Sequence, residues 1–291
     1  MTVLVTGATG FIGRHLLARL HGRHEVVAIA RGAPPAALAD LAGWIALDLS
    51  APLDASALPA HVDTVLHLAQ SPRFREFPDG AADMVAVNVD APAALAGYAV
   101  RAGARRFVLC STGGVYGYAP RPLREDDPIA PIGFYQATRY AAELLLAPYA
   151  EHLATIVLRP FFVYGPAQRG FLVANLAGRI LRGETVTVQG PHGPRLNPLH
   201  VEDAARAVEA ALALEEAATI NLAGAEVASV ADIVRGLAAA AGVEPDVVQQ
   251  GDADPGDLVA DTARMRELLA VVPAVPLAAG LRSVIAELAA S

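Results

Sequence analysis

Thr6-Gly7-Ala8-Thr9-Gly10-Phe11-Ile12-Gly13 joins an apolar, β-branched run from Thr2 to Thr6 to a segment in which Ile12, Leu16, Leu17 and Leu20 recur at helical spacing. Strand, tight turn and helix therefore follow one another. Each glycine has its own reason: Gly7 for the bend, Gly10 for close approach of a pyrophosphate, Gly13 for packing of helix on strand. The helix start then presents unpaired N–H groups and a partial positive charge to an anion. A glycine triplet alone is weak; directly after a strand and opening an amphipathic helix, it predicts a dinucleotide cradle rather than a bare glycine-rich turn. Gly7, Gly10, Phe11, Ile12 and Gly13 are the candidate contacts.

Outward from this turn, short apolar runs at Val26 to Ala30, Trp44 to Leu47, Thr64 to Ala69, Arg106 to Cys110 and Thr155 to Leu158 alternate with helical patterns near Asn88 to Ala102 and Tyr135 to His152. The alternation predicts an α/β fold with a doubly wound parallel sheet of Rossmann type. Beyond Pro160 the rhythm changes. Proline and glycine cluster at Gly165-Pro166, Gly190-Pro191 and Gly193-Pro194, between helical patterns near Phe171 to Arg182, Val201 to Leu214 and Val230 to Ala241. The expected division is a dinucleotide-binding domain over 1–164, to which segments at about 195–224 return, and a smaller, mainly substrate-binding domain over 165–291.

The 291 residues suffice for one large or two ordinary domains. Hydrophobic residues make up 54%, yet no uninterrupted apolar run reaches the roughly eighteen residues of a membrane span. The first apolar stretch runs straight into the glycine turn without a basic signal-peptide start. A single cysteine, Cys110, excludes an internal disulfide framework and a thiolate-rich metal site, and the scattered histidines lack metal-ligand spacing. A cytoplasmic, metal-free protein is expected. The net charge of −8 gives no support to nucleic-acid binding, so the partners are expected to be small molecules. Lysine is absent and all 22 basic residues are arginine, which closes Schiff-base and P-loop lysine mechanisms. No Gly-x-Ser-x-Gly elbow supports hydrolase chemistry.

A carboxylate about twenty residues beyond such a turn commonly grips the ribose hydroxyls of NAD. Here the second strand ends Ala30-Arg31-Gly32-Ala33, and the next acid, Asp40, comes late. The planar fork of Arg31 suits a 2′-phosphate, which favours NADP over NAD. A solvated surface arginine is the other reading.

Further segments stand in a telling order: Asp48-Leu49, His67-Leu68-Ala69, Asn88-Val89, Ser111-Thr112-Gly113-Gly114-Val115-Tyr116-Gly117, Tyr135 with Arg139, Arg159-Pro160-Phe161-Phe162-Val163-Tyr164-Gly165-Pro166, Leu199-His200-Val201-Glu202-Asp203 and Asn221-Leu222-Ala223-Gly224. With the glycine turn, they resemble the extended short-chain dehydrogenase/reductase family, in its NAD(P)-dependent nucleotide-sugar epimerase and dehydratase group, over nearly the whole chain. The resemblance implies that Asp48 and Leu49 lie along the adenine, that Leu68, Ala69 and Gln70 lie along the central part of the cofactor, and that Asn88 also belongs to the cofactor site. It makes Thr112 the catalytic hydroxyl with Ser111 beside it, Tyr135 the acid/base and Arg139 its cation, with backbone contacts from Pro160 to Val163 near the nicotinamide. Thr112 and Gln70 are the implied substrate contacts, and helices near Asn88 and Tyr135 the implied homodimer interface.

The chemistry asks for such a set. Hydride transfer at a carbinol carbon requires a proton to leave or join the oxygen, so an acid/base and a hydroxyl donor must converge there. Bringing a phenol from pKa near 10 to about 7 takes roughly 4 kcal/mol of differential stabilisation. Burial opposes this, so a nearby cation must outweigh it. Residues four apart share a helix face, which brings Tyr135 and Arg139 to one cleft. The family pattern has lysine where this chain has Arg139: either catalysis is altered, or the substitution belongs to the lysine-free composition.

Sugar-nucleotide 4,6-dehydratases of the resembled family carry an acidic pair just after the catalytic threonine; here those positions are Gly113 and Gly114, which disfavours dehydration. Members of that family place an arginine four residues before the histidine of His-Val-x-Asp, where this chain has Leu196, with Arg195 one position earlier as the candidate diphosphate contact. The implied function is hydride transfer at a carbinol or ketone carbon of a nucleotide sugar, as an epimerase or keto-sugar reductase. A reductase of a non-nucleotide ketone, and a catalytically weak NAD(P)-binding sensor or assembly protein, stay open. His67 and His200 read as structural.

Overall fold

A computed structural model describes residues 1–252 and 256–290. The first half runs β1 (Thr2–Thr6), α1 (Phe11–Leu20), β2 (Glu25–Ala30), β3 (Gly43–Ala46), β4 (Thr64–His67), α2 (Ala81–Val85), a π turn (Ala86–Asp90), α3 (Ala91–Arg101), β5 (Arg106–Cys110), α4 (Phe134–Leu146) and β6 (Ala154–Pro160). After β7 (Val163–Tyr164), α5 (Leu172–Leu181), β8 (Val186–Gln189), β9 (Arg195–Leu196), β10 (Leu199–His200) and α6 (Val201–Ala211), β11 (Ala218–Leu222) returns to the edge of the main sheet. The remaining elements are β12 (Ala228–Ser229), α7 (Val230–Ala241), β13 (Val247–Gln250), α8 (Ala263–Leu269) and α9 (Leu277–Ala289).

The sheet order is β11-β6-β5-β4-β1-β2-β3, every pairing parallel. Helices cover both faces, so the central strands must be apolar on both sides. Val3, Leu4 and Val5 are all fully buried: Val3 and Val5 pack with Leu16 and Leu17 of α1 and Val208 of α6, whereas Leu4 packs with Leu95, Phe107 and Leu146 on the other face. A third cluster joins α5, α7 and α9 through Leu176, Ile180, Ile233, Leu237 and Val284. There α7 starts in a capping box of Ser229 and Asp232 and ends at Gly242 in the left-handed conformation. Met265 and Leu269 of α8 pack into the first core beside α6, a late return that periodicity did not reveal.

Chain order reverses between β1 and β4, which opens a crevice at the carboxyl ends of the strands, where α/β sheets bind ligands. Two helices differ from expectation in ways that matter there. The helix expected from Asn88 begins at Ala81, and Asn88 occupies its π turn, a local widening that re-aims one side chain. The helix expected to reach His152 ends at Leu146, because Pro148 cannot continue the hydrogen-bond ladder and a 3-10 turn takes over.

Candidate active site

The glycine turn lines one end of a cleft of about 620 Å³. Gly7 has φ +70°, and a Cβ there would stand 2.6 Å from Ala69 N; one on Gly13 would stand 2.2 Å from Gly7 O. A Cβ on Gly10 would meet only Gly7 O, at 3.0 Å. All three are thus small because backbone stands against them, severely at Gly7 and Gly13 and through one tight contact at Gly10. Gly10 caps α1 without a side chain and no acid occupies the first turn, so the first N–H groups of the helix keep their capacity for an anion.

Arg31, Asp48 and Leu49 line the same end. The Asp48 carboxylate accepts from the backbone N–H and hydroxyl of Ser50 at 3.0 and 2.9 Å, and these bonds, helped by the charge of Arg31, hold it below the usual carboxylate range. The cleft then passes Leu68, Ala69 and Gln70 to Ser111, Thr112, Tyr135, Arg139, Pro160 and Val163.

Tyr135 and Arg139 stand one turn apart on α4. The phenol donates to Gln70 Oε1 at 2.7 Å. Arg139 is 1% exposed, donates from Nη1 to Ala69 O at 3.1 Å, and keeps Nε without a partner. Burial lifts the Tyr135 pKa by more than the Arg139 charge lowers it, and the Cys110 thiol adds to the rise, so the cation does not outweigh burial, contrary to expectation. Burial, reinforced by Arg139, also holds His67 neutral with a pKa of about 3, its Nδ1 bonded to Thr6 Oγ1 at 2.9 Å, while the buried Cys110 thiol is pushed up to about 11. Neither is a proton donor or acceptor at neutral pH. The orphaned Arg139 Nε and the uncapped N–H groups at the start of α1 fit a dinucleotide that brings its own oxygen acceptors to both places.

Thr112 Oγ1 accepts from Gly114 N at 3.2 Å, which leaves the hydroxyl proton for another acceptor. Ser111 differs: its hydroxyl donates to the Glu143 carboxylate, which Arg159 grips at 2.5 Å, and Arg159 in turn donates to the Tyr116 phenol at 2.6 Å. Ser111 therefore ends a buried polar chain with its proton committed to Glu143. A Cβ on Gly113 would fall 2.3 Å from the Phe161 ring. A side chain there would require the Phe161 ring to move.

Asn88 stands behind the cleft wall, accepting from Ser71 N at 2.9 Å and donating to Thr138 Oγ1 at 3.0 Å. It ties the segment after β4 to α4. Arg195 lies outside the cleft lining and pairs with Asp257, Nε to Oδ2 at 2.8 Å. Sequence reasoning missed Glu143, which shares a helix face with Arg139, and the wall formed by Phe74, Arg75 and Phe171. Spacing offers no signal for that wall, since its parts come from distant segments.

The sequence model of the family described as NAD dependent epimerase/dehydratase matches residues 3–223. UDP-glucose 4-epimerase of Azospirillum brasilense is 33% identical over 306 residues, covering 93% of this chain and 87% of the relative. UDP-glucuronic acid decarboxylase 6 of Arabidopsis thaliana is 29% identical over 97% of this chain and 87% of its own length. The crystal structure of UDP-glucuronic acid 4-epimerase from Bacillus cereus, in complex with UDP-glucuronic acid and NAD, superposes with a TM-score of 0.88 at 28% identity, covering 100% of this chain and 99% of the other. Among the described residues no helix is long and apolar enough to cross a membrane.

Proposed function

The chain belongs to the NAD-dependent epimerase/dehydratase family and is a nicotinamide-dependent enzyme, and from that premise we propose that it oxidises or reduces a sugar carbinol carbon of a nucleotide sugar, as an epimerase or keto-sugar reductase. The observation that carries this reading is the meeting of Tyr135, Arg139 and Thr112 in one cleft with the glycine cradle. When bound, the nicotinamide supplies the hydride acceptor or donor.

Gly7, Gly10, Phe11, Ile12 and Gly13 would hold the pyrophosphate, Asp48 and Leu49 the adenine side, Leu68 and Ala69 the middle, Pro160 and Val163 the nicotinamide end. Tyr135 Oη takes or returns the carbinol proton. Arg139 lowers the cost of its phenolate, which burial raises by more, and Thr112 donates to the substrate oxygen. Gln70 holds the phenol in line, Asn88 positions α4, and Ser111 braces the strand end through Glu143. Dehydration lacks its acid and base because positions 113 and 114 are glycines, and a Cβ at 113 would meet the Phe161 ring.

The absence of a carboxylate at the end of β2 and a guanidinium on Arg31 that makes no contact ion pair among the described residues support NADP over NAD. Exposed Val100, Leu144 and Leu145 on α3 and α4 support homodimer pairing through those helices. The single buried cysteine fits a cytoplasmic setting, and residues 165–291 are read as mainly the substrate-covering part. The test is turnover of UDP-glucose and UDP-glucuronic acid with either cofactor: Tyr135→Phe lowers kcat by roughly 10²- to 10⁴-fold, the usual yield of general acid–base catalysis. Tight cofactor binding without turnover across nucleotide sugars and ketones would leave the sensor reading standing instead.

A further inference from the structure

Three arginines line the cleft, Arg31, Arg75 and Arg139, and among the described residues none of them makes a contact ion pair with a carboxylate. Arg31 and Arg139 have roles above. Arg75 does not. Two positions earlier, Arg73 is neutralised by Glu76 at 2.6 Å, and Asp83, the carboxylate in this part of the wall, accepts from the Ser71 hydroxyl.

The Phe74 and Phe171 rings stack with centroids 5.6 Å apart at 15°, and the Arg75 guanidinium carbon lies 4.9 Å from the first and 5.3 Å from the second. Arg75 Nη1 donates to Gly170 O, binding the segment after β4 to the start of α5. A guanidinium held against two rings and tied by one Nη1 bond keeps its other N–H donors for an acceptor, and an arginine so confined loses little freedom on binding one. The Phe74 ring also lies 5.5 Å from that of Tyr135. The charge therefore stands one aromatic ring away from the acid/base.

We propose that Arg75 recognises an oxyanion of the substrate, either the carboxylate of a uronic sugar or a phosphate of the nucleotide diphosphate. The inference rests on the nucleotide-sugar reading. A clamp needs no charge, because the ring stack already closes the wall; an unneutralised fork on the cleft surface is suited to a bidentate oxyanion.

The experiment titrates cofactor-loaded protein with UDP-glucuronic acid and UDP-glucose, using the native chain, Arg75→Gln and Arg75→Lys. Arg75→Gln should bind UDP-glucuronic acid roughly 10- to 100-fold more weakly, the loss of a charge-assisted hydrogen bond, with cofactor affinity unchanged and part of the loss restored in Arg75→Lys. Weakening confined to UDP-glucuronic acid identifies the carboxylate; equal weakening of both ligands identifies the diphosphate. Affinity indifferent to Arg75→Gln, or as weak in Arg75→Lys as in Arg75→Gln, overturns the proposal alone. A native protein that binds neither nucleotide sugar overturns the proposed function and this inference with it.

Discussion

At Gly7, Gly10 and Gly13 the cleft wall is main chain, set by one turn; at Phe74, Arg75 and Phe171 it is side chain, brought together by segments such as Arg75 and Gly170 that are 95 positions apart. The main-chain wall works by what is missing, since a Cβ at Gly7 would strike Ala69 N at 2.6 Å. The side-chain wall works by ring stacking and one cation, which also ties the segment after β4 to Gly170 O. On the proposed assignment of cofactor to the first wall and substrate to the second, cofactor recognition is rigid and substrate recognition adjustable, and each can be disturbed without the other.

The harshest challenge to that contrast is Gly7→Ala. Both the positive φ and the collision with backbone oppose it, at a stability cost on the order of 3 kcal/mol. Thermal unfolding and cofactor titration should show a lower Tm and cofactor affinity reduced more than 100-fold (about 2.7 kcal/mol). A variant that binds cofactor normally would break the idea of an intolerant main-chain wall.

Arg139→Gln comes next, where the two walls meet. Oxidation needs the Tyr135 phenolate, so the rate rises with pH through the tyrosine pKa, which burial raises and Arg139 restrains. Without the cation the rise should move to higher pH by about one unit or more, measured as the pH profile of kcat/KM. Arg139→Lys keeps the charge and should keep the limb in place with turnover no higher than native; a large gain would show that the native arginine is a handicap. Arg31→Ala should lower the NADP-to-NAD affinity ratio roughly tenfold by removing a charge-assisted contact, with NAD binding untouched; clear native preference for NAD would remove the basis for Arg31. The mildest is Phe171→Ala, which loses a stacked pair worth about 1 kcal/mol. KM for the sugar substrate should rise a few-fold while cofactor affinity stays constant.

The same contrast explains what could be read from the residues. The glycine turn was legible because its constraint is local: strand, bend and helix start lie within one short segment, and glycine alone satisfies Gly7. The alternation of strands and helices, and with it the doubly wound sheet, was legible because parallel strands buried on both faces are continuous apolar runs. Tyr135 and Arg139 could be paired because helical spacing fixes their common face. By contrast, the Ser111 hydroxyl gave no sign in sequence that it would donate to Glu143, 32 positions later, and Arg195 gave none that its guanidinium would meet Asp257, 62 positions later. Such polar partnerships are decided by tertiary packing. Asn88 fell between these cases: its place in the motif was visible, but the π turn that sends it to Ser71 and Thr138 was not.

The Phe161 ring against Gly113 also bears on how this scaffold can change. Placing an acid at position 113 by one codon change would bring its Cβ within 2.3 Å of an aromatic ring, so that step toward a dehydratase would cost stability unless the ring moved. Phe161 would have to shrink beforehand, in a step that gains no new chemistry and opens a void beside Val115 and Tyr116. A laboratory lineage selected for dehydration should therefore show the position 161 replacement earlier than, or together with, any change at 113.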